Sequence, residues 1–308
     1  MKVLPARREG LLRALRWATA LAAGPAWPRA PAQPAAADTA AGAAVPSRHE
    51  LRTSDGVRLS VLESRPPGSD AASGEPSIVL LPGWCMPAAI WDAQLRALGS
   101  RWPTLALDPR GQGLSQVPAD GYTADRRADD LHDALQGLGR VVLVGWSLGV
   151  LEALQYVHRH GSARLAALAL VDNSVGEPPV PPASGFLQEL RRDRGATIER
   201  FIQAMFRRPP PPALLEQIRD SALRMPLEAS IALLSYPLPR EHWRSIVHGF
   251  DRPLAYIVTP RYREQSQHLR EARPQARIEI FEQAGHALFV DEAQRFNRLL
   301  ADWIERLS

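Results

Sequence analysis

The sequence predicts an α/β protein: a doubly wound, mostly parallel sheet, interrupted by a helical insertion between its sixth and seventh strands. Three observations carry this. Short, continuous apolar runs alternate with amphipathic segments from Ile78 to Val171, joined by short turns. The alternation stops between Asn173 and Asp251, where proline clusters separate helical stretches and no strand pattern appears. It resumes at Leu254 and continues through the C-terminal segment.

Taken in order, His49 to Ser64 reads as two strands around Asp55-Gly56, a strong hairpin signal because the glycine accepts positive φ. Residues 66–77 are rich in Gly, Ser, Pro and Asp and read as a loop. Ile78–Leu81, Leu105–Leu107, Val141–Val144 and Leu165–Val171 are apolar throughout, as expected of strands covered on both faces. Helices are expected at Ala88–Leu98, Ala124–Leu138 and Gly149–Arg159. After the insertion come a strand at Leu254–Val258, a helix at Glu264–Ala272, a strand at Arg277–Phe281 and a last helix at Asp291–Leu307. The expected organisation is therefore a core of 46–172 and 252–308 with an insertion at 173–251. Within it, Arg207-Arg208 followed by Pro209–Pro212 reads as a spacer.

Composition excludes several chemistries. Of 37 basic residues only Lys2 is a lysine, and Cys85 is the one cysteine. A chain whose only lysine sits in a leader has none for Schiff-base or phosphate-loop chemistry. One thiol supplies neither an internal disulfide nor the paired cysteines of a zinc site. The formal charge of +4 is wholly accounted for by residues 1–45, with six basic residues against Glu9 and Asp38. The remainder is neutral, so no basic face for nucleic acid is expected. Residues 1–45 themselves read as an export signal and Ala/Pro linker: a basic stretch to Arg16, an apolar run from Trp17 to Trp27, and Ala30-Pro31-Ala32 as a cleavage candidate. Arg7-Arg8 loosely resembles a twin-arginine signal. The apolar run falls well short of the ~20 residues that span a bilayer. A periplasmic or secreted location is the expectation.

The sharpest motif is Gly145-Trp146-Ser147-Leu148-Gly149, placed directly after an apolar strand and opening a helix. In this strand–turn–helix setting G-x-S-x-G is a nucleophile elbow. The tight turn strains and exposes Ser147, the flanking glycines let strand and helix approach, and the helix N-terminus favours negative charge. A serine nucleophile needs a base, and Gly285-His286 lies between the last strand and the last helix, where an imidazole reaches the sheet edge that bears Ser147.

With these motifs the chain resembles the α/β-hydrolase superfamily over 48–308. Leu81-Pro82-Gly83-Trp84, Asp108-Pro109-Arg110-Gly111-Gln112-Gly113, the elbow and Gly285-His286 carry the resemblance. It looks closest to the small serine esterase and non-haem haloperoxidase/perhydrolase branch, which uses no metal or cofactor. The resemblance implies that 173–251 is a cap and that the N–H groups of Trp84 and Leu148 form the oxyanion hole. It also exposes a departure. Members commonly carry an Asp in G-x-x-D after the seventh strand, where this chain has Thr259-Pro260-Arg261-Tyr262, and Tyr262 stands at the acid's place. Asp172, at the end of the sixth strand, is the favoured replacement. Glu264 is the alternative, and a water-bridged or missing acid stays open.

Asp108 is expected to organise its own turn and Cys85 to fill space. His158 and His160, two apart on a helix, point to different sides and make no metal pair. The expected function is hydrolysis of a small-molecule carboxylic ester. Perhydrolase or haloperoxidase chemistry on the same residues is one alternative, and a non-catalytic small-ligand binder is the other.

Overall fold

The computed structural model describes residues 45–66, 75–182 and 184–307. The leader expected in 1–45 lies outside the described residues, apart from Val45. The strands are β1 (Ser47–Arg52), β2 (Arg58–Ser64), β3 (Ser77–Leu81), β4 (Thr104–Asp108), β5 (Val141–Trp146), β6 (Leu165–Val171), β7 (Leu254–Val258) and β8 (Arg277–Ile280). They form one eight-stranded sheet in the order β1-β2-β4-β3-β5-β6-β7-β8. β2 pairs antiparallel with β1 and with β4, and every later pairing is parallel. The order turns back at β3, so the loops after β3 and β5 meet at the carboxyl edge, where ligands bind in open α/β sheets.

Burial explains the strand sequences. Every residue of β5 and β6 is buried, which is why these strands show no apolar–polar alternation. The outermost strands are different: β1 is mostly exposed and β8 is half-buried, and both carry charges that discourage pairing with another chain. The core helices are α1 (Asp92–Leu98), α2 (Ala124–Ala134), α3 (Leu148–His160), α9 (Arg263–Ala272), α10 (Leu288–Asp291) and α11 (Ala293–Glu305). In α11 the buried positions are Phe296, Leu299, Leu300, Trp303 and Ile304, the spacing of one helical face. Two helices differ from expectation. The Ala88–Leu98 segment begins as a 3-10 turn at Ala88–Trp91, and α2 ends at Ala134 ahead of Gly137, which sits at φ +81° in the turn that follows.

Between β6 and β7 lie five helices: α4 (Phe186–Arg192), α5 (Arg194–Ala204), α6 (Pro212–Arg224), α7 (Leu227–Leu233) and α8 (Arg240–Gly249). Pro212 opens α6, where a missing N–H costs nothing. α8 packs on α3, and the α5–α6 connection is bonded to the loop holding His286. Met205 O accepts from Ala287 N at 2.9 Å, and the Asp291 carboxylate accepts from Arg207 N at 3.0 Å and Gly285 N at 2.7 Å.

Beneath the cap two arginines are fully buried with partners. Arg110 donates to Asp130 at 2.5 Å and to Asp55 at 2.8 Å. Arg127 donates to Glu152 at 2.8 Å, to Arg110 O at 2.9 Å and to Gln112 Oε1 at 3.1 Å. Glu152→Ala is expected to cost about 3–5 kcal/mol, because it leaves a buried guanidinium without its counter-charge. Chemical denaturation with an unchanged m-value checks this. Asp108 behaves as its sequence position suggests: its carboxylate accepts from Ala88 N at 2.6 Å, Leu114 N at 3.1 Å and Arg48 at 3.0 Å, holding the turn after β4. Among the described residues no helix is long and apolar enough to cross a membrane.

Candidate active site

Ser147 sits between β5 and α3 at φ 54°, ψ −120°, a conformation that costs a non-glycine residue about 1–3 kcal/mol and needs support from its surroundings. The flanking glycines supply it. A Cβ on Gly145 would lie 2.3 Å from Gly149 O, and one on Gly149 would lie 2.8 Å from Leu81 O. Neither position has room for a side chain, so strand, elbow and helix close on one another. Ser147 N donates to Val171 O at 2.9 Å, and Asn173 Nδ2 donates to Ser147 O at 2.7 Å. Ser147 is partly exposed while its neighbours in β5 are buried.

His286 Nε2 lies 2.9 Å from Ser147 Oγ, and Nδ1 lies 2.8 Å from Asp172 Oδ2. Asp172, only 1% exposed, follows β6 at φ 47°. Its other oxygen accepts from both Thr259 N at 2.7 Å and Thr259 Oγ1 at 2.8 Å. The carboxylate is thereby fixed with one oxygen on the β7 end and one on the imidazole. That arrangement selects the tautomer with the proton on Nδ1 and leaves Nε2 as acceptor for the serine proton. Trp146 Nε1 donates to His286 O at 2.8 Å, anchoring the same loop from below.

Glu264 is exposed in the first turn of α9. Both ring nitrogens of His286 are engaged by Ser147 and Asp172, so the structure brings Asp172, and not Glu264, to the imidazole. Tyr262, at the place where the resemblance led an acid to be expected, is buried at the end of a 3-10 turn (Pro260–Tyr262) and lines the pocket.

Trp84 and Leu148 both line the cavity that contains Ser147. Leu148 is the first residue of α3, so its N–H has no partner within the helix. The loop bearing Trp84 presses close to the serine: a Cβ on Gly83 would lie 3.0 Å from Ser147 Cβ. The Trp84 indole donates to Ser230 O of the cap at 2.7 Å and meets Phe186 and Phe201 edge-on, with centroids 5.5 and 5.3 Å away. Apolar cap residues thus roof the serine.

Cys85 is fully buried, with Sγ 3.7 Å from Met225 Sδ, and burial pushes its thiol well above the usual range. It should resist alkylation in the native protein and react only after unfolding, which mass spectrometry with a thiol reagent would show. His158 and His160 diverge as expected: His160 Nε2 lies 2.8 Å from Asp129, while His158 meets His242 edge-on with centroids 4.7 Å apart.

Thr259, Asn173 and Trp146 were not singled out from sequence as parts of the site. Thr259 had a legible signal, since it directly follows the strand after which the expected acid is missing. Asn173 and Trp146 had none, because their contacts span different loops.

Comparison with known proteins follows the same outline. Residues 78–299 match a family model described as the alpha/beta hydrolase family. The AB hydrolase superfamily protein YisY of Bacillus subtilis is 26% identical over 83% of this chain and 98% of its own length. A pimeloyl-[acyl-carrier protein] methyl ester esterase of Aeromonas hydrophila is 30% identical over 74% of this chain and 95% of its own. The crystal structure of a bromoperoxidase from Bacillus anthracis superposes with a TM-score of 0.70 at 19% identity, covering 84% of this chain and 100% of that one, a likeness of fold.

Proposed function

The chain belongs to the alpha/beta hydrolase family, and from that premise we propose that it is a serine hydrolase of carboxylic esters, in the branch of small esterases and haloperoxidases. The observation that carries the reading is the unbroken hydrogen-bonded line from Ser147 Oγ through His286 to Asp172. In the proposed reaction Ser147 attacks the ester carbonyl while His286 Nε2 takes its proton. The N–H groups of Trp84 and Leu148 receive the oxyanion, each such donor contributing about 3 kcal/mol to the transition state. The imidazolium, held by Asp172, protonates the departing alkoxide, and water activated by the same nitrogen releases the acid.

The aromatic and aliphatic roof supports an apolar acyl group beneath the cap. A panel of short p-nitrophenyl esters, thioesters and lactones, with fluorophosphonate labelling, tests the proposal. Turnover with labelling at Ser147 is the expected outcome, whereas a protein that binds ligands without reacting takes no label. Peracid formation, measured against hydrolysis on one acyl donor, tells water from peroxide as the acceptor. We further propose export, supported by the sequence of residues 1–45. Fractionation of a cell expressing the full chain tests it, and a product confined to the cytoplasm would reject it.

A further inference from the structure

The polar side chains lining the pocket differ in how far the protein itself satisfies them. Those next to the serine are satisfied within the protein: Asn173 donates to Ser147 O at 2.7 Å and accepts from Ser174 N at 2.8 Å, and the Trp84 indole is held by Ser230 O. Two others stand apart. Tyr236 is 3% exposed, and its hydroxyl has no hydrogen-bond partner among the described residues. Burial, reinforced by the nearby Glu152 charge, pushes this phenol well above its usual range, so it stays protonated and able to donate. Arg261 lies on the loop after β7. Its guanidinium leans over the Tyr262 ring, 5.7 Å from the centroid, and it makes no ion pair with a carboxylate among the described residues. The contrast with its neighbour is direct, since Arg263 is paired with Glu282 at 2.6 Å.

Among the described residues no Asp or Glu lines this pocket, so the one fixed charge in its wall is that of Arg261, which is itself solvent-exposed. The spare hydrogen-bonding capacity of Arg261 is purely donating. A cation at the wall of a largely apolar cleft attracts anions and gains strength as a bound ligand displaces water from it. The planar guanidinium matches a carboxylate bidentately, which an ammonium does not.

We infer that the substrate of this site is an ester carrying a free carboxylate, on its acyl or its alcohol part, and that Arg261 selects for it by ion pairing. The inference rests on the serine-hydrolase reading above, and the chemistry at Ser147 is unchanged: water is consumed, the ester C–O bond breaks, and the second carboxylate is a spectator. Arg261 acts as a specificity-determining residue, not a participant in proton transfer.

The test measures kcat/KM on matched pairs. A homologous series of monomethyl dicarboxylates places the charge on the acyl side, and O-acetyl hydroxy acids place it on the alcohol side. Each is compared with its neutral methyl ester in wild type, Arg261→Gln, Arg261→Glu and Arg261→Lys. Wild type is expected to favour the anionic member of at least one pair by about two- to fivefold, the range of a solvent-exposed ion pair. That ratio should fall to about one in Arg261→Gln, invert in Arg261→Glu, survive in part in Arg261→Lys, and shrink with added salt. A wild-type ratio of one or less in every pair overturns the inference while leaving the hydrolase reading intact, and so does a preference that Arg261→Gln retains. If neither member of any pair is turned over, and no neutral p-nitrophenyl ester either, the hydrolase reading fails and this inference with it.

Discussion

Ser147→Ala is expected to lower ester turnover by about 10⁵- to 10⁶-fold, to background, and to abolish fluorophosphonate labelling. The size of the loss follows from the arrangement at the elbow. Ser147 Oγ is within 2.9 Å of His286 Nε2, and among the described residues no other nucleophile is placed against that nitrogen. Cys85, next to Trp84 in sequence, is buried, with its thiol held protonated. The variant should fold, because alanine fills less space than serine and the bonds that hold the turn use the main chain of residue 147. Unchanged thermal melting alongside lost turnover would therefore place the defect in the chemistry. Substantial residual hydrolysis by the purified variant would contradict the assigned nucleophile.

Asp172→Asn is expected to lower kcat by about 10⁴-fold, and Glu264→Gln to leave it within about twofold. An amide at 172 removes the negative charge that favours the imidazolium. Because Oδ1 is already committed to Thr259, it would also present its NH₂ to His286 Nδ1 and force the wrong tautomer. Glu264 faces solvent and has no comparable hold on the ring. The steady-state constants of the two variants, measured on one p-nitrophenyl ester, decide between them. Comparable losses in both, or none in either, would show that the acid has been misplaced.

The juxtaposition of Ser147 and His286 was legible in the sequence because each is marked by local chemistry. Gly145 and Gly149 are required by contacts of 2.3 and 2.8 Å within the elbow itself, so the motif records its own geometry. His286 follows the last strand, and the parallel sheet then leaves few places for it to go. The acid was different. Whether Asp172 or Glu264 serves depends on lateral neighbours, since β6 and β7 pair with Val171 beside Ile257, and this carries Asp172 next to Thr259. The two are 87 residues apart in sequence, and no periodicity reports their adjacency. The cap was legible as helices but not as a roof, because its contacts with Trp84 and with the loop of His286 depend on how it folds back over the sheet.

The stitching of the α5–α6 connection to the His286 loop bears on how this protein can breathe. Main-chain bonds flank the imidazole on both sides: Gly285 N reaches Asp291, which also binds Arg207 N, and Ala287 N reaches Met205 O. A Cβ on Gly285 would lie 2.7 Å from Met205 O, so the two backbones touch without a spacer. This stretch of the cap therefore cannot swing away as an independent door. Any displacement of it drags on the peptide groups either side of His286, so movement of this connection and placement of the imidazole are mechanically one variable.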